Sequence, residues 1–301
     1  MEEPGGGAVV HRPYHYPPAM PRVVPPRHSM SQTTPTADPC PIVDARLRWD
    51  ATASGGILPD ECPSATGAFR LDGVVWYASE ASDALHGCSE RIETDTRPIP
   101  FAMVAPLALV DTDTEPQLAA YAGRRHLTTV HARLHGVPDI SEHSAVHDGL
   151  ARIDDGGFRC VIDVASTQLQ EVLGLARAHP SLRMAIACMG SPCAVDTAGF
   201  ARWWSNMKAL STCENVDVEI AGIATIFGNG WDARKIAPWV LSTVEMFGAG
   251  RCMFGSDLSS GALADEGGTI YDGYRGLLGA FTPDEQDRMF RGNAVAWFRV
   301  R

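Results

Sequence analysis

Ile42-Val43-Asp44-Ala45-Arg46-Leu47-Arg48-Trp49-Asp50 is the stretch where a regular pattern begins in this chain. Residues 42–49 make a β-type run, and seven more such runs follow at 73–77, 101–110, 127–132, 158–164, 183–188, 215–220 and 251–254. Amphipathic stretches separate them. Val146, Leu150 and Ile153 recur at helical spacing until Gly156-Gly157 stops the helix, and Leu169, Val172, Leu173 and Ala176 do so until Pro180. Phe200, Trp203, Met207 and Leu210 mark another helix, with Trp203 and Trp204 read as outer-layer packing, and Ile236, Val240 and Val244 mark the next. Thr282-Pro283-Asp284-Glu285 is a capping box with proline at the first helical position, opening a last helix through Met289, Phe290 and Trp297. Eight β/α alternations over roughly 260 residues match a single (βα)8 barrel, a TIM barrel, in count and size. A doubly wound sheet would carry a glycine-rich phosphate turn after its first strand. Here that position reads Asp50-Ala51-Thr52-Ala53-Ser54-Gly55-Gly56, which lacks the G-x-G-x-x-G spacing.

The first 40 residues stand apart, holding nine of the 21 prolines and no apolar periodicity. They are expected to form an irregular arm before a barrel over 41–301. Charged residues cancel within the arm, so the net charge of −11, from 25 basic and 36 acidic side chains, belongs to the barrel. That excess disfavours nucleic acid and anionic membrane as partners. No run of 18 apolar residues and no secretory leader are visible, and eight cysteines without a CxxC or zinc spacing suit reduced thiols in the cytoplasm. No nucleotide or hydrolase motif such as a P-loop, HExxH or GxSxG occurs, and no cofactor is implied.

Several segments together resemble the amidohydrolase-related hydrolases, specifically the lactonase branch that includes 2-pyrone-4,6-dicarboxylate lactonases and sugar-acid lactonases. Residues 42–50 resemble that family's first strand, I-D-A-H-x-H-x-W-D. Gln168-Leu169 with Ala176-Arg177-Ala178-His179-Pro180, then Met189-Gly190-Ser191-Pro192, resemble segments around its fifth and sixth strands. Asn215-Val216, Ala221-Gly222, Phe247-Gly248, Met253-Phe254-Gly255-Ser256-Asp257 and Asn293-Ala294 follow in the family's order over residues 41–301. The resemblance implies a barrel whose chemistry sits on strand ends at the C-terminal mouth. It also makes a homo-oligomer an expectation, which the arm could serve.

The departures carry as much information as the matches. The family's first-strand histidine pair falls on Arg46 and Arg48, its strand-six histidine on Cys188, a strand-four arginine on His131 and a strand-seven lysine on Glu219. Only Asp257 keeps the family identity, and Leu258 and Ser259 replace the tryptophan and proline that commonly follow it. A guanidinium stays protonated and has no free lone pair, so the arginines cannot ligate a cation. The resemblance therefore implies no metal at this site but a mouth where Arg46 and Arg48 hold an acidic or lactone substrate. Asp257 is then expected as acid/base, His131 as second proton carrier, and Cys188 as a nucleophile in a triad-like set with His131 and Glu219, against the reading of a buried inert thiol. Glu219 is read first as a salt-bridge partner of an arginine, and one of Trp76 and Tyr77 as a stacking surface. The expected reaction is metal-independent hydrolysis of a small carboxylate- or lactone-bearing metabolite, in secondary metabolism. Two alternatives stay open: a decarboxylase, lyase or cyclase acting on an acidic natural-product intermediate, and a non-catalytic binding or partner-stabilising barrel. Among weaker features, His126, His131, His135, His143 and His147 cluster in sequence, with His143 and His147 read as solvated. Asp111, Asp113 and Glu115 read as a solvated helix N-terminus, and the Ser/Gly/Ala-rich stretch 257–268 reads as a loop that could close as a lid.

Overall fold

The computed structural model describes residues 39–49, 65–78, 99–110, 113–228 and 230–301. The expected arm, apart from residues 39 and 40, lies outside these. Nine strands form one sheet: β1 (Cys40–Trp49), β2 (Ala65–Thr66), β3 (Phe69–Ala78), β4 (Phe101–Leu107), β5 (Leu127–Arg133), β6 (Arg159–Asp163), β7 (Met184–Ile186), β8 (Val216–Ile220) and β9 (Cys252–Phe254). All eight expected strands are present, parallel, in the order β1-β3-β4-β5-β6-β7-β8-β9, while β2 adds a short antiparallel pairing to β3. The barrel closes through the segment after β9. There Asp257 N donates to Arg46 O at 2.8 Å and Arg48 N donates to Leu258 O at 2.8 Å. Gly255 permits this approach, because a Cβ on it would lie 2.7 Å from Arg46 N.

The helices are α1 (Thr114–Tyr121), α2 (Ser144–Asp155), α3 (Leu169–Ala178), α4 (Thr197–Leu210), α5 (Ile223–Phe227), α6 (Ala233–Phe247), α7 (Ser260–Leu277), α8 (Pro283–Asp287) and α9 (Asn293–Phe298). Asp113 caps α1 by accepting from Glu115 N, the role expected of that acidic stretch, although Asp111 lies outside the described residues. The capping box of Thr282 and Glu285 forms as expected at the start of α8. Trp203 is buried against Trp239 and Phe200, as expected for outer-layer packing, whereas Trp204, expected to pack with it, is exposed. Among the described residues no helix is long and apolar enough to cross a membrane.

One expectation needs correction. Residues 257–268 are not a loop: from Ser260 they form the first half of α7. Leu263, Ile270, Tyr271 and Tyr274 recur on one helix face and are buried against the barrel, which outweighs the poor helix propensity of the glycines between them. Tyr274 further ties α7 to the strand ends by donating to the carbonyls of Ile220 and Gly255 at 3.2 Å each.

Two apolar layers follow from strand alternation. Ile42, Leu47, Trp76, Met103, Val130 and Ile162 face outward beneath the helices, and Val43, Ala45, Val75, Val104, Val161, Ala185 and Met253 fill the barrel. Trp297 and Phe298 of α9 join this inner layer and plug the barrel at the end opposite the mouth. A bulge in β1, where Ala45 and Arg46 together oppose Val75 between the pairs Asp44–Val74 and Leu47–Trp76, shifts the alternation by one. Beyond it, Arg46 and Arg48 point to the mouth.

Candidate active site

Arg46 sits at the centre of the mouth, nearly buried, with carboxylates on three strand ends around it. Its Nε donates to Asp257 Oδ1 at 3.0 Å, its Nη1 donates to Glu219 Oε2 at 2.9 Å, and its Nη2 lies 3.8 Å from Asp163 Oδ2. The guanidinium carbon stands 4.2 Å over the centre of the Tyr77 ring, a cation–π arrangement. The Tyr77 hydroxyl completes the set by donating to Glu219 Oε1. Beneath, Asp44 accepts from Arg46 N at 3.0 Å and Ser256 N at 2.9 Å, which staples β1 to the end of β9.

Burial decides the charges here. It pushes the Glu219 carboxyl up to about 7 against the pull of Arg46, and it pushes Asp44 up to about 6. Burial and the neighbouring Glu219 carboxylate raise the Tyr77 phenol well above its ordinary value, which keeps it a donor. Asp163 goes the other way. Burial alone would raise it, but hydrogen bonds from His131 and His135 and the charge on Arg46 hold it well below the usual carboxylate range.

The structure redistributes several expected roles. Arg46 does not hold substrate: its N–H groups face protein carboxylates. Arg48 is an exposed cation beside Asp257. It is 58 % exposed, its Nε donates to the Asp257 main-chain carbonyl at 2.8 Å, and its two Nη groups make no hydrogen bond to the described residues. Glu219 is the expected salt-bridge partner, of Arg46. Tyr77 faces the mouth, whereas Trp76 points outward into the layer beneath the helices and is not a stacking surface for substrate.

His131 is no proton carrier near neutrality. It is buried, Nε2 lies 3.2 Å from Asp163 Oδ2, and burial lowers it to about 4 despite that carboxylate. The triad-like set does not assemble either. Among the described residues no hydrogen bond joins Cys188 to His131 or Glu219, and burial pushes its thiol up, away from the thiolate a nucleophile needs. Cys188 nevertheless belongs to the wall. It begins a run with Met189, Gly190 and Ser191 in the left-handed region, held by the Trp203 indole donating to Met189 O at 2.7 Å. His147, expected on a solvated face, is half-buried with Nδ1 2.9 Å from His179 Nε2.

Asp257 keeps an open side. Its φ of 58° turns the carboxylate back over Arg46, a conformation that costs a non-glycine residue about 1 kcal/mol. Oδ1 takes the Arg46 bond, and Oδ2 makes no hydrogen bond to the described residues. The space beside Oδ2 depends on Gly222, where a Cβ would lie 3.6 Å from it and 3.0 Å from Cys188 Sγ.

Asp163 and His135 were not singled out from the sequence. The available signal for Asp163 was its parity with Val161 on an inward-facing strand that ends at the mouth. His135 is visible only as a member of the histidine cluster.

His131 gives a testable pH dependence. Between its unfolded value of about 6.5 and its folded value of about 4, the unfolded chain binds the additional proton. Its contribution to stability is therefore complete above that window and is lost as pH falls through it, by about 3 kcal/mol. Urea unfolding of wild type and His131→Asn at pH 7.5 and pH 4 should show the gap between them shrinking by roughly that amount. A gap independent of pH would mean that His131 is not neutralised by burial.

A parallel barrel with a buried guanidinium at its mouth, ringed by acids and one open carboxylate edge, defines a TIM-barrel protein with an enzyme-like site. A family model described as amidohydrolase matches residues 58–300, and the chain belongs to the amidohydrolase family. It is 28% identical over 149 residues to an L-fucono-1,5-lactonase of Burkholderia ambifaria, covering 46% of this chain and 48% of that one. The chain spans about half the length of the curated relatives it matches. Among solved structures, an amidohydrolase of Burkholderia multivorans superposes with a TM-score of 0.71 at 17% identity, over 86% of this chain and 99% of that one. A 2-pyrone-4,6-dicarboxylic acid hydrolase of Pseudomonas putida superposes with a TM-score of 0.57 at 17% identity, over 86% and 97%.

Proposed function

We propose that the protein is a hydrolase of small carboxylate- or lactone-bearing metabolites that works without a metal ion at this mouth. One observation carries the reading: the Arg46 guanidinium lies among Asp163, Glu219 and Asp257, where a metal bound by those side chains would have to sit. The Burkholderia multivorans relative is described with bound zinc. In this chain the donors do not fit such an ion. Two of the three carboxylates are engaged by a charge that cannot leave, the first-strand pair is Arg46 and Arg48, and no group of three or more metal-ligating side chains occurs among the described residues.

In this reading a substrate carboxylate docks on the Nη groups of Arg48, which make no hydrogen bond to the described residues and form an exposed fork suited to bidentate contact. Water adds to the lactone carbonyl carbon while Asp257 Oδ2 takes its proton. Arg46 orients Asp257 through its Nε bond, and Tyr77 and Glu219 keep Arg46 in place. The free thiols, Cys193 exposed among them, suit a reducing cytoplasm.

Chelator-treated protein should release acid from sugar 1,5-lactones or pyrone dicarboxylates, followed by pH-stat, with a rate unchanged by added EDTA. Turnover that appears only with zinc would overturn the metal-free reading, and no turnover on any lactone or ester would favour the binding-protein alternative. Arg48→Gln should raise KM by about tenfold or more with little change in Tm, because the side chain is exposed and its loss removes a charge-assisted contact. An unchanged KM would remove Arg48 from substrate binding.

A further inference from the structure

The mouth holds a second carboxylate–imidazole unit that the reading above leaves unused. His135 follows β5 on a loop held firmly in place. Gln168, itself buried, donates its side-chain amide to Leu134 O and to Val137 O at 2.9 Å each, and Leu134 N donates to Asp163 O at 2.8 Å. From this loop His135 Nε2 reaches Asp163 Oδ1 at 2.7 Å, while the ring stays 47 % exposed and Nδ1 makes no hydrogen bond to the described residues. Asp163 bridges two histidines. Oδ2 accepts from buried His131 and Oδ1 from exposed His135. Among the described residues, Arg46 from β1, His131 and Arg133 from β5, Cys188 after β7 and Glu219 from β8 are the other charged or titratable groups that face this unit.

From this arrangement we propose that His135, oriented by Asp163, is the second proton carrier of the site. An ionised carboxylate that accepts from Nε2 fixes that nitrogen as N–H and leaves Nδ1 as the atom that gains and releases the mobile proton. The Arg46 guanidinium links the two carboxylates, with Nε 3.0 Å from Asp257 Oδ1 and Nη2 3.8 Å from Asp163 Oδ2.

The two carriers divide a lactone hydrolysis between them. The attacking water forms its bond to the carbonyl carbon and passes a proton to Asp257. The ring C–O bond breaks, its electron pair goes to the ring oxygen, and that oxygen takes the proton from His135 Nδ1. Asp257 then releases its proton and His135 regains one from solvent, so the balance closes without a further reactant. Asp163 is a positioning residue and His135 the catalytic one.

The inference rests on the hydrolase reading for its reaction and on geometry alone for the dyad, and two measurements separate them. In protein labelled with 15N-histidine, the His135 signal, assigned by its loss in His135→Gln, should show a single Nε2–H tautomer in its neutral form. An Nδ1–H form or a mixture overturns the dyad. With a sugar 1,5-lactone as probe, His135→Ala should lose roughly 10²–10³-fold in kcat with little change in KM. Added imidazole should restore at least about tenfold, which a merely structural role would not allow. A loss under about threefold, or no rescue, overturns the proton-carrier role. If wild type turns over no lactone or ester, the hydrolase reading and the catalytic assignment fall together. The tautomer then decides the dyad alone.

Discussion

Replacing Arg46 by methionine is expected to destabilise the protein more than any other substitution at the mouth, by about 3–5 kcal/mol, with a fall in Tm of roughly 10 °C or more. The methionine fits the volume of the stem but leaves Asp163, Glu219 and Asp257 facing one another around an uncharged centre. Removing one partner of a buried ion pair leaves the other under-compensated, and here Glu219 and Asp257 lose their shortest ionic contact at once, while Asp163 keeps His131 and His135. Their response is to take up protons, Glu219 first, because burial holds it near 7 even with Arg46 lowering it and the loss of Arg46 raises it further. The damage should therefore grow as pH rises and shrink as pH falls. Arg46→Lys should fall between the two, since an ammonium cannot span carboxylates on three strands. Added zinc should leave the wild-type Tm unmoved. A wild-type Tm that rises with zinc, or an Arg46→Met protein as stable as wild type at pH 8, would sink the picture of Arg46 as the resident cation.

Much of this arrangement was legible in the sequence, and the parts that were not share a physical cause. Strand runs and helix faces could be read because each is set by local periodicity, and the capping box at Thr282 because its geometry spans only four residues. That Arg46 and Arg48 share a face follows from alternation along one strand. Which partners they meet does not, because that depends on the bulge at Ala45–Arg46 and on registers across β6, β8 and β9. The division of labour between the two arginines is a depth effect: two residues further along β1 moves a side chain from a closed ring of acids to solvent. The same holds for the histidines. His131 and His135 differ by four positions and meet one carboxylate, yet one is buried on the strand and the other stands on the loop beyond it. Residues 257–268 misled because their glycines weaken any helical reading, while Leu263, Ile270, Tyr271 and Tyr274 gain burial only once the barrel beneath them exists.

Asp257→Asn is expected to lower kcat by about 10²–10⁴-fold with little effect on the fold. The substitution is nearly isosteric, and the amide oxygen can still accept from Arg46 Nε in place of Oδ1. Arg48 keeps its 2.8 Å Nε bond to the main-chain carbonyl of residue 257 and loses only the longer 3.7 Å ion pair to Oδ1, so KM should change far less than kcat. What disappears is the open Oδ2 edge that can take a proton from water, since an amide nitrogen in that place is a donor. One charge also leaves the ring around Arg46, but Asp163 and Glu219 remain, so the stability change should stay within about 1–2 kcal/mol. This contrast separates the roles of the two central residues. Arg46 variants should fail in stability before activity can be read, and Asp257→Asn should fail in turnover with its melting curve nearly intact. Gly222→Ala supplies a control that leaves every charge in place. Its Cβ would press on Cys188 Sγ at 3.0 Å, at a φ of 70° that strains alanine, so it should lower kcat by shifting the wall beside Oδ2. Asp257→Asn retaining turnover within about threefold of wild type would remove this carboxylate from the chemistry and leave it as a counter-ion of Arg46.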